Sequence, residues 1–154
     1  MENYHFSELQ NNPELFFNIL PPDWKSEIFP FWENYENQAK IYIIKQSDEI
    51  TGGGIVFSIP PPHFDYFKEE AKFWFDKQYH YLGFIFILPE HRNKNLGSFW
   101  LQELKLKNPR QNYFLLTEEP HLQRFYEKND FKCLKTFAVE DHLEWLFIYN
   151  ESSS

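Results

Sequence analysis

The residues best placed to do chemistry gather in one stretch, Ile87-Leu88-Pro89-Glu90-His91-Arg92-Asn93-Lys94-Asn95-Leu96-Gly97-Ser98. An apolar run over 81–88 stops at a proline, a basic loop follows, and an amphipathic segment runs from Leu96 to about Lys107. That order reads as strand, tight loop and helix start. A helix start leaves backbone N–H groups without partners, and its dipole adds partial positive charge at the same place. His91, Arg92 and Lys94 add more, although the chain as a whole carries net charge −8. Local sign opposes global sign. The loop is a candidate anion site, and a phosphate-bearing cofactor is the expected ligand.

Downstream, Arg124-Phe125-Tyr126-Glu127-Lys128-Asn129-Asp130-Phe131 places a tyrosine on what reads as a short helix. The two stretches together, in this order and with a strand-like 113–117 between them, resemble GNAT-type N-acetyltransferases. The acyl-CoA loop of that family follows a strand ending in Pro-Glu and reads Arg/Gln-x-x-Gly-x-Gly/Ala. This chain has Arg92-Asn93-Lys94-Asn95-Leu96-Gly97, with Asn95 at the first glycine position. Asparagine visits left-handed backbone more readily than most residues, so the departure is mild. The second stretch is similar to the family's Phe-Tyr-Glu-Lys-x-Gly-Phe, with Asp130 in place of glycine.

The resemblance implies acyl transfer from acyl-CoA, with acetyl-CoA expected, to an amine by direct attack on the thioester. It puts the pyrophosphate on the amides of Asn93, Lys94, Asn95, Leu96, Gly97 and Ser98, with Arg92 adding a charge-assisted bond. Gly97 would let the anion reach the helix start. Pantetheine would lie where the fourth and fifth strands splay apart, against the main chain of Ile87 and Leu88, with Gly83 a candidate for the irregularity that opens the gap. Tyr126 takes the general-acid position, because a phenol can donate to a developing thiolate. A backbone N–H near Ile87 is a candidate for the oxyanion. Many relatives carry a carboxylate on the fourth strand, but Gly83-Phe84-Ile85-Phe86 offers none. Glu118 and Glu119 are then the candidate bases, directly or through water, with His80 another. No pair among the six histidines has helical metal-ligand spacing, so no metal is expected; Glu140, Asp141 and His142 read as a hairpin tip.

Composition bounds these readings. A chain of 154 residues fits one domain, here expected over 1–150 with a frayed tail at 151–154. A single cysteine, Cys133, excludes an internal disulfide and a Cys-based zinc site. Asp and Glu outnumber Lys and Arg by 23 to 15, which argues against nucleic-acid binding and is compatible with cationic acceptors. No basic-then-apolar leader opens the chain and no apolar run is long enough to cross a membrane, so a soluble cytoplasmic protein is expected, as monomer or homodimer. The 18 phenylalanines suit either an aromatic core or an aromatic-lined acceptor pocket or dimer surface.

Elements to position these groups follow from periodicity. A helix is expected after Asn11-Asn12-Pro13 with Leu15, Phe16, Ile19 and Leu20 as its stripe, and a second from Asp23 to Tyr35, broken at Pro30. Strands are expected at 41–46 and 54–59, the second preceded by Gly52-Gly53-Gly54, a bulge or a close approach. A helix at 65–77 either walls the acceptor pocket or covers a sheet face. Strands at 79–88, 113–117, 131–139 and 143–149 complete the set. The family's customary first strand would fall at 1–6, a short polar stretch where it is expected to be absent or a stub. The fold class is α/β (α+β), a central mixed, mostly antiparallel twisted sheet with helices on both faces. Two rivals remain to the acyltransferase: a catalytically silent acyl-CoA-binding or sensing module, and a phosphate- or nucleotide-binding protein lacking any Walker pattern.

Overall fold

A computed structural model describes residues 3–35, 37–62, 64 and 67–153. Seven strands form one sheet: β1 (Tyr4–Leu9), β2 (Ala39–Gln46), β3 (Glu49–Phe57), β4 (Tyr79–Ile87), β5 (Asn112–Thr117), β6 (Lys132–Val139) and β7 (His142–Tyr149). Their order is β1-β2-β3-β4-β5-β7-β6. Every pairing is antiparallel except β4 with β5. Among the described residues five α-helices accompany it: α1 (Glu14–Phe17), α2 (Pro22–Ile28), α3 (Lys68–Asp76), α4 (Leu96–Lys107) and α5 (Gln123–Lys128).

Strand β1 corrects the expectation of an absent first strand. It pairs with β2 along its whole length, from Tyr4 opposite Gln46 to Leu9 opposite Ile41. Its residues read as polar because an edge strand buries only alternate positions. Tyr4 is buried and Phe6 stacks on Tyr42 at 5.3 Å, while His5 and Ser7 face solvent.

The first helix is a single turn, so its buried pair is Phe16 and Phe17, and Leu15 is exposed. The second helix gives way to a 3-10 turn over Phe29–Asn34, where Pro30 removes a helical donor. Helix α3 starts at Lys68; Asp65, where a start was expected, lies outside the described residues. Its Trp74 and Phe75 pack on Tyr79 and Phe114, near the paired ends of β4 and β5, so α3 covers a sheet face. The tail forms a 3-10 turn over Glu151–Ser153, with the Glu151 N–H donated to Asn112 Oδ1.

Two layers of helix enclose the sheet. On one face α4 buries Leu96, Trp100, Leu101 and Leu104. Trp100 is fully buried and its indole N–H donates to the Tyr42 carbonyl at 3.0 Å. Gly54 makes room for it, since a Cβ there would lie 2.7 Å from the indole ring. Gly53 and Gly54 thus serve helix–sheet packing, whereas a Cβ on Gly52 would meet Ile87 and the Phe86 carbonyl of β4. On the other face sit α1, α2 and α3.

Candidate active site

The strand that feeds the basic loop is distorted at one point. Gly53 pairs with Phe86 and Ile55 with Gly83, so Gly54 alone opposes Phe84 and Ile85. This is a β-bulge, and Phe84 carries it with φ 56°. Gly83, the residue expected to host the irregularity, has ordinary backbone. Beside the bulge, β4 and β5 pair only at Tyr79–Asn112, His80–Tyr113 and Tyr81–Phe114. Beyond those rungs the strands run on unpaired, which leaves a wedge open between their C-terminal ends.

Main-chain direction decides which groups face that wedge. Leu88 donates its N–H to the Thr51 carbonyl at 2.9 Å and its carbonyl accepts from His91. The Leu88 N–H is therefore committed to β3, and its carbonyl already holds one bond within the loop. Neighbouring residues in a ladder point opposite ways, so the N–H and carbonyl of Ile87 turn away from β3 toward the wedge. The Ile87 carbonyl already accepts from Arg92 Nε at 2.8 Å. Arg92 lies over the Phe86 ring at 5.1 Å, so it braces the end of β4 and only its terminal guanidinium nitrogens remain for an anion. His91 leaves the anion site altogether. It is buried, with Nδ1 3.1 Å from the Tyr4 hydroxyl and Nε2 3.1 Å from Glu49, and it ties the loop to β1 and β3.

The loop itself is a row of unused donors. Asn93 (φ 65°) and Asn95 (φ 61°) are both left-handed, the kind of turn in which successive N–H groups converge. Asn95 takes this conformation where the family pattern has glycine. Among the described residues the N–H groups of Asn93, Lys94, Asn95, Leu96, Gly97 and Ser98 have no protein acceptor, and no side chain caps α4. The first amide of this helix with a partner is Phe99, bonded to Asn95. Six consecutive donors at the positive end of a twelve-residue helix fit a diphosphate. Lys94 stands exposed among them.

Helix α5 is docked against this cradle. A Cβ on Gly97 would lie 2.9 Å from Phe125 Cζ, so the missing side chain admits Phe125. Helix packing, more than anion access, requires glycine there. Asn129 Nδ2 donates to Ser98 Oγ and to the Phe125 carbonyl, and Lys105 Nζ donates to the Asn129 carbonyl. These contacts fix Tyr126 on the α4 face, its ring against Phe125, Phe131 and Phe147. Its hydroxyl has no hydrogen-bond partner among the described residues, and burial pushes the phenol well above its ordinary value.

Comparison with known proteins agrees with this geometry. The sequence matches the acetyltransferase (GNAT) family over residues 7–131. The chain belongs to that family. No curated protein matches it by sequence. Solved GNAT structures share its fold. An aminoglycoside 6'-N-acetyltransferase complexed with coenzyme A superposes with TM-score 0.70 at 14% identity, covering 96% of this chain and 97% of that one. A GNAT acetyltransferase from Elizabethkingia anophelis with acetyl-CoA bound gives 0.64 at 14%, covering 97% and 99%. One from Staphylococcus aureus gives 0.66 at 15%, covering 96% and 99%.

In this GNAT chain the candidate bases separate. His80 lines a hollow of about 120 Å³ with Lys40, Asn108 and Tyr113. That hollow sits by the paired ends of β4 and β5, far from the wedge, and it is too small for a nucleotide cofactor. Burial and then the Lys40 charge lower the His80 pKa, but nothing brings His80 to the chemistry. Glu119 is exposed and faces His121 at 3.5 Å, and its N–H donates to Thr117 Oγ1.

Glu118 is the carboxylate that joins a group. Its Oε2 lies 3.3 Å from His142 Nε2, which is also 3.0 Å from Glu144 Oε2. Sequence reading missed this set: His142 read as a hairpin tip, and Glu144 is buried although it stands in an otherwise apolar strand. The alternation of β7, in which Glu144 shares a face with His142, was the available signal. Across the wedge, α2 presents Glu27, whose pKa is raised by burial, then by Asp23 and Glu118. Trp24 of the same helix packs edge-on against Phe84 and Phe86 of the bulged strand. The wedge therefore opens, on the face opposite Tyr126, between aromatic and acidic walls. No helix among the described residues is long and apolar enough to cross a membrane.

Proposed function

We propose that the protein is an acyl-CoA-dependent N-acyltransferase that moves an acetyl group from acetyl-CoA to an amine of a small molecule, peptide or protein in the cytoplasm. The observation that carries this reading is the run of six unpartnered amides, Asn93 to Ser98, beside the wedge between β4 and β5. A diphosphate on those amides would send its pantetheine arm along β4, with the Ile87 N–H turned toward it. The Tyr126 hydroxyl, protonated and without a partner among the described residues, is then on the side of the leaving sulfur. The acceptor would enter from the α2 face, where repelling carboxylates on Glu27, Asp23 and Glu118 favour a cation.

Two measurements test the reading. Acetyl-CoA at a hundred times its dissociation constant adds about 2.7 kcal/mol of stability. That corresponds to a rise in Tm of roughly 5–11 °C for a chain of this size. ATP, which offers phosphates without a pantetheine arm, should shift it less. An equal or larger ATP shift would point to a nucleotide site and refute the reading. Thiol release over a panel of amines then separates an enzyme from a silent acyl-CoA-binding module, which would show the thermal shift without turnover.

A further inference from the structure

We propose that His142 is the proton acceptor for the incoming ammonium, that Glu144 is its positioning residue, and that Glu118 completes the site. The proposal rests on the acyltransferase reading and deepens it. Strand register places the group. Thr117 of β5 pairs with Trp145 of β7, so Glu118 and Glu144 fall opposite each other as the next pair. In the parallel pairing Tyr81 matches Phe114, and the bulge adds one residue to β4, so Glu118 stands level with Phe86. The cluster thus faces the bulge across the open wedge. Side-chain alternation places it on one face of the sheet. Glu144 and His142 point to the α2 side, whereas Phe147, which touches Tyr126, points to the α4 side. A thioester lying in the wedge would have its nucleophile delivered from one face and its sulfur protonated from the other.

Chemistry selects the imidazole over the carboxylates. Moving a proton from an alkylammonium to an ordinary carboxylate is uphill by roughly six pKa units, and to an imidazole by fewer than four. Among the described residues every charged group facing His142 is acidic: Glu118 at the end of β5, Asp141 in the hairpin with its carboxylate 3.5 Å from Nδ1, and Glu144 on β7. Glu27 and Asp23 of α2 stand behind Glu118. The hydrogen bond that the ring donates to Glu144, and after it the one to Asp141, outweigh desolvation and raise the His142 pKa, which narrows the gap further. Glu144 is nearly enclosed, with 11% of its side chain exposed, so it can hold the ring in one orientation.

The step balances as follows. The ammonium gives one proton to His142, and the free amine forms a C–N bond to the thioester carbon. The resulting oxyanion collapses, the C–S bond breaks and sulfur takes the proton of the Tyr126 hydroxyl. The remaining excess proton on nitrogen passes to the phenolate, and His142 releases its own proton to solvent. One proton leaves per amide formed.

The test uses wild type, His142→Gln and Glu144→Gln on the full chain, with acetyl-CoA and the best acceptor from a panel of spermidine, kanamycin and a free-amine peptide. Wild-type kcat/KM should rise with pH along a limb lying above the ordinary imidazole value, because the carboxylates hold the proton and the base must lose it. His142→Gln should lose that limb and about a hundredfold in kcat near neutral pH. Its thermal shift with acetyl-CoA should match wild type. Glu144→Gln should keep the limb but move it to lower pH, and the His142 ring signals in NMR should titrate lower by the same amount. A wild-type limb in His142→Gln overturns the proposal. So does activity lost to a chelator and restored by zinc, which would assign the three side chains to a cation. An acetyl-CoA shift with no turnover of any amine also overturns it, in favour of the silent module. If acetyl-CoA does not shift the wild-type Tm at all, the acyl-CoA reading itself has failed.

Discussion

Replacing Tyr126 by phenylalanine separates chemistry from stability more cleanly than any other single change in this chain. The ring contacts at 5.0, 5.7 and 5.2 Å to Phe125, Phe131 and Phe147 survive the substitution. The hydroxyl makes no hydrogen bond among the described residues, so none is lost. Among the described residues only the Tyr113 hydroxyl is both fully enclosed and unpartnered, so the Tyr126 hydroxyl, on a residue 6% exposed, keeps contact with solvent. Stability should therefore hold to within about 1 kcal/mol, or roughly 2–4 °C in Tm. Activity should move the other way. Loss of a general acid costs about 10²–10⁴-fold, and a thiolate leaves readily, so the low end applies. The expected fall is about a hundredfold in kcat, equivalent to roughly 2.7 kcal/mol in the barrier. Thiol release at saturating acetyl-CoA reads the rate, and the acetyl-CoA-induced thermal shift, unchanged, shows that the cradle is intact. A variant that turns over like wild type refutes the acid assignment. A variant that melts several degrees lower refutes the claim that the hydroxyl has no structural partner.

Two further outcomes follow from the packing. Gly97→Val should cost about 1–3 kcal/mol, because any Cβ there meets the Phe125 ring and displaces α5. Phe125→Leu in the same chain should restore at least half of the loss in Tm, and a double variant no better than Gly97→Val would show that the glycine serves the loop alone. Alkaline pH should unfold the protein. Burial raises the phenols of Tyr126 and Tyr113, for Tyr113 with a further push from Tyr42. Their contribution is intact below about pH 10, where unfolded phenols begin to ionise, and falls above it by about 1.4 kcal/mol per pH unit for each. Among the described residues Tyr113 has an enclosed hydroxyl with no hydrogen-bond partner. Tyr113→Phe should make the slope measured by denaturant titration between pH 10 and 11 shallower.

The sequence by itself determined the local features. Proline after an apolar run, two asparagines able to turn left-handed, and an amphipathic segment from Leu96 specify the strand, loop and helix start, since each depends on neighbours only a few residues away. Phe125 and Tyr126 were legible as one face of a short helix for the same reason, while the role expected of Tyr126 came from the family resemblance. Tertiary structure decided what those neighbours cannot. Strand β1 owes its existence to pairing with β2, more than thirty residues on, because its own alternation is half polar. His91 looked like part of the anion site until β1 and β3 were found to hold it, and the absent side chain of Gly97 makes room for Phe125 while its amide stays in the cradle. The bulge falls at Phe84 because it is set by register against β3, which a glycine count does not report. Glu118, His142 and Glu144 meet only because β7 inserts between β5 and β6. Side chains separated by a helix and a strand in the chain become neighbours by strand order, and no spacing along a line encodes that.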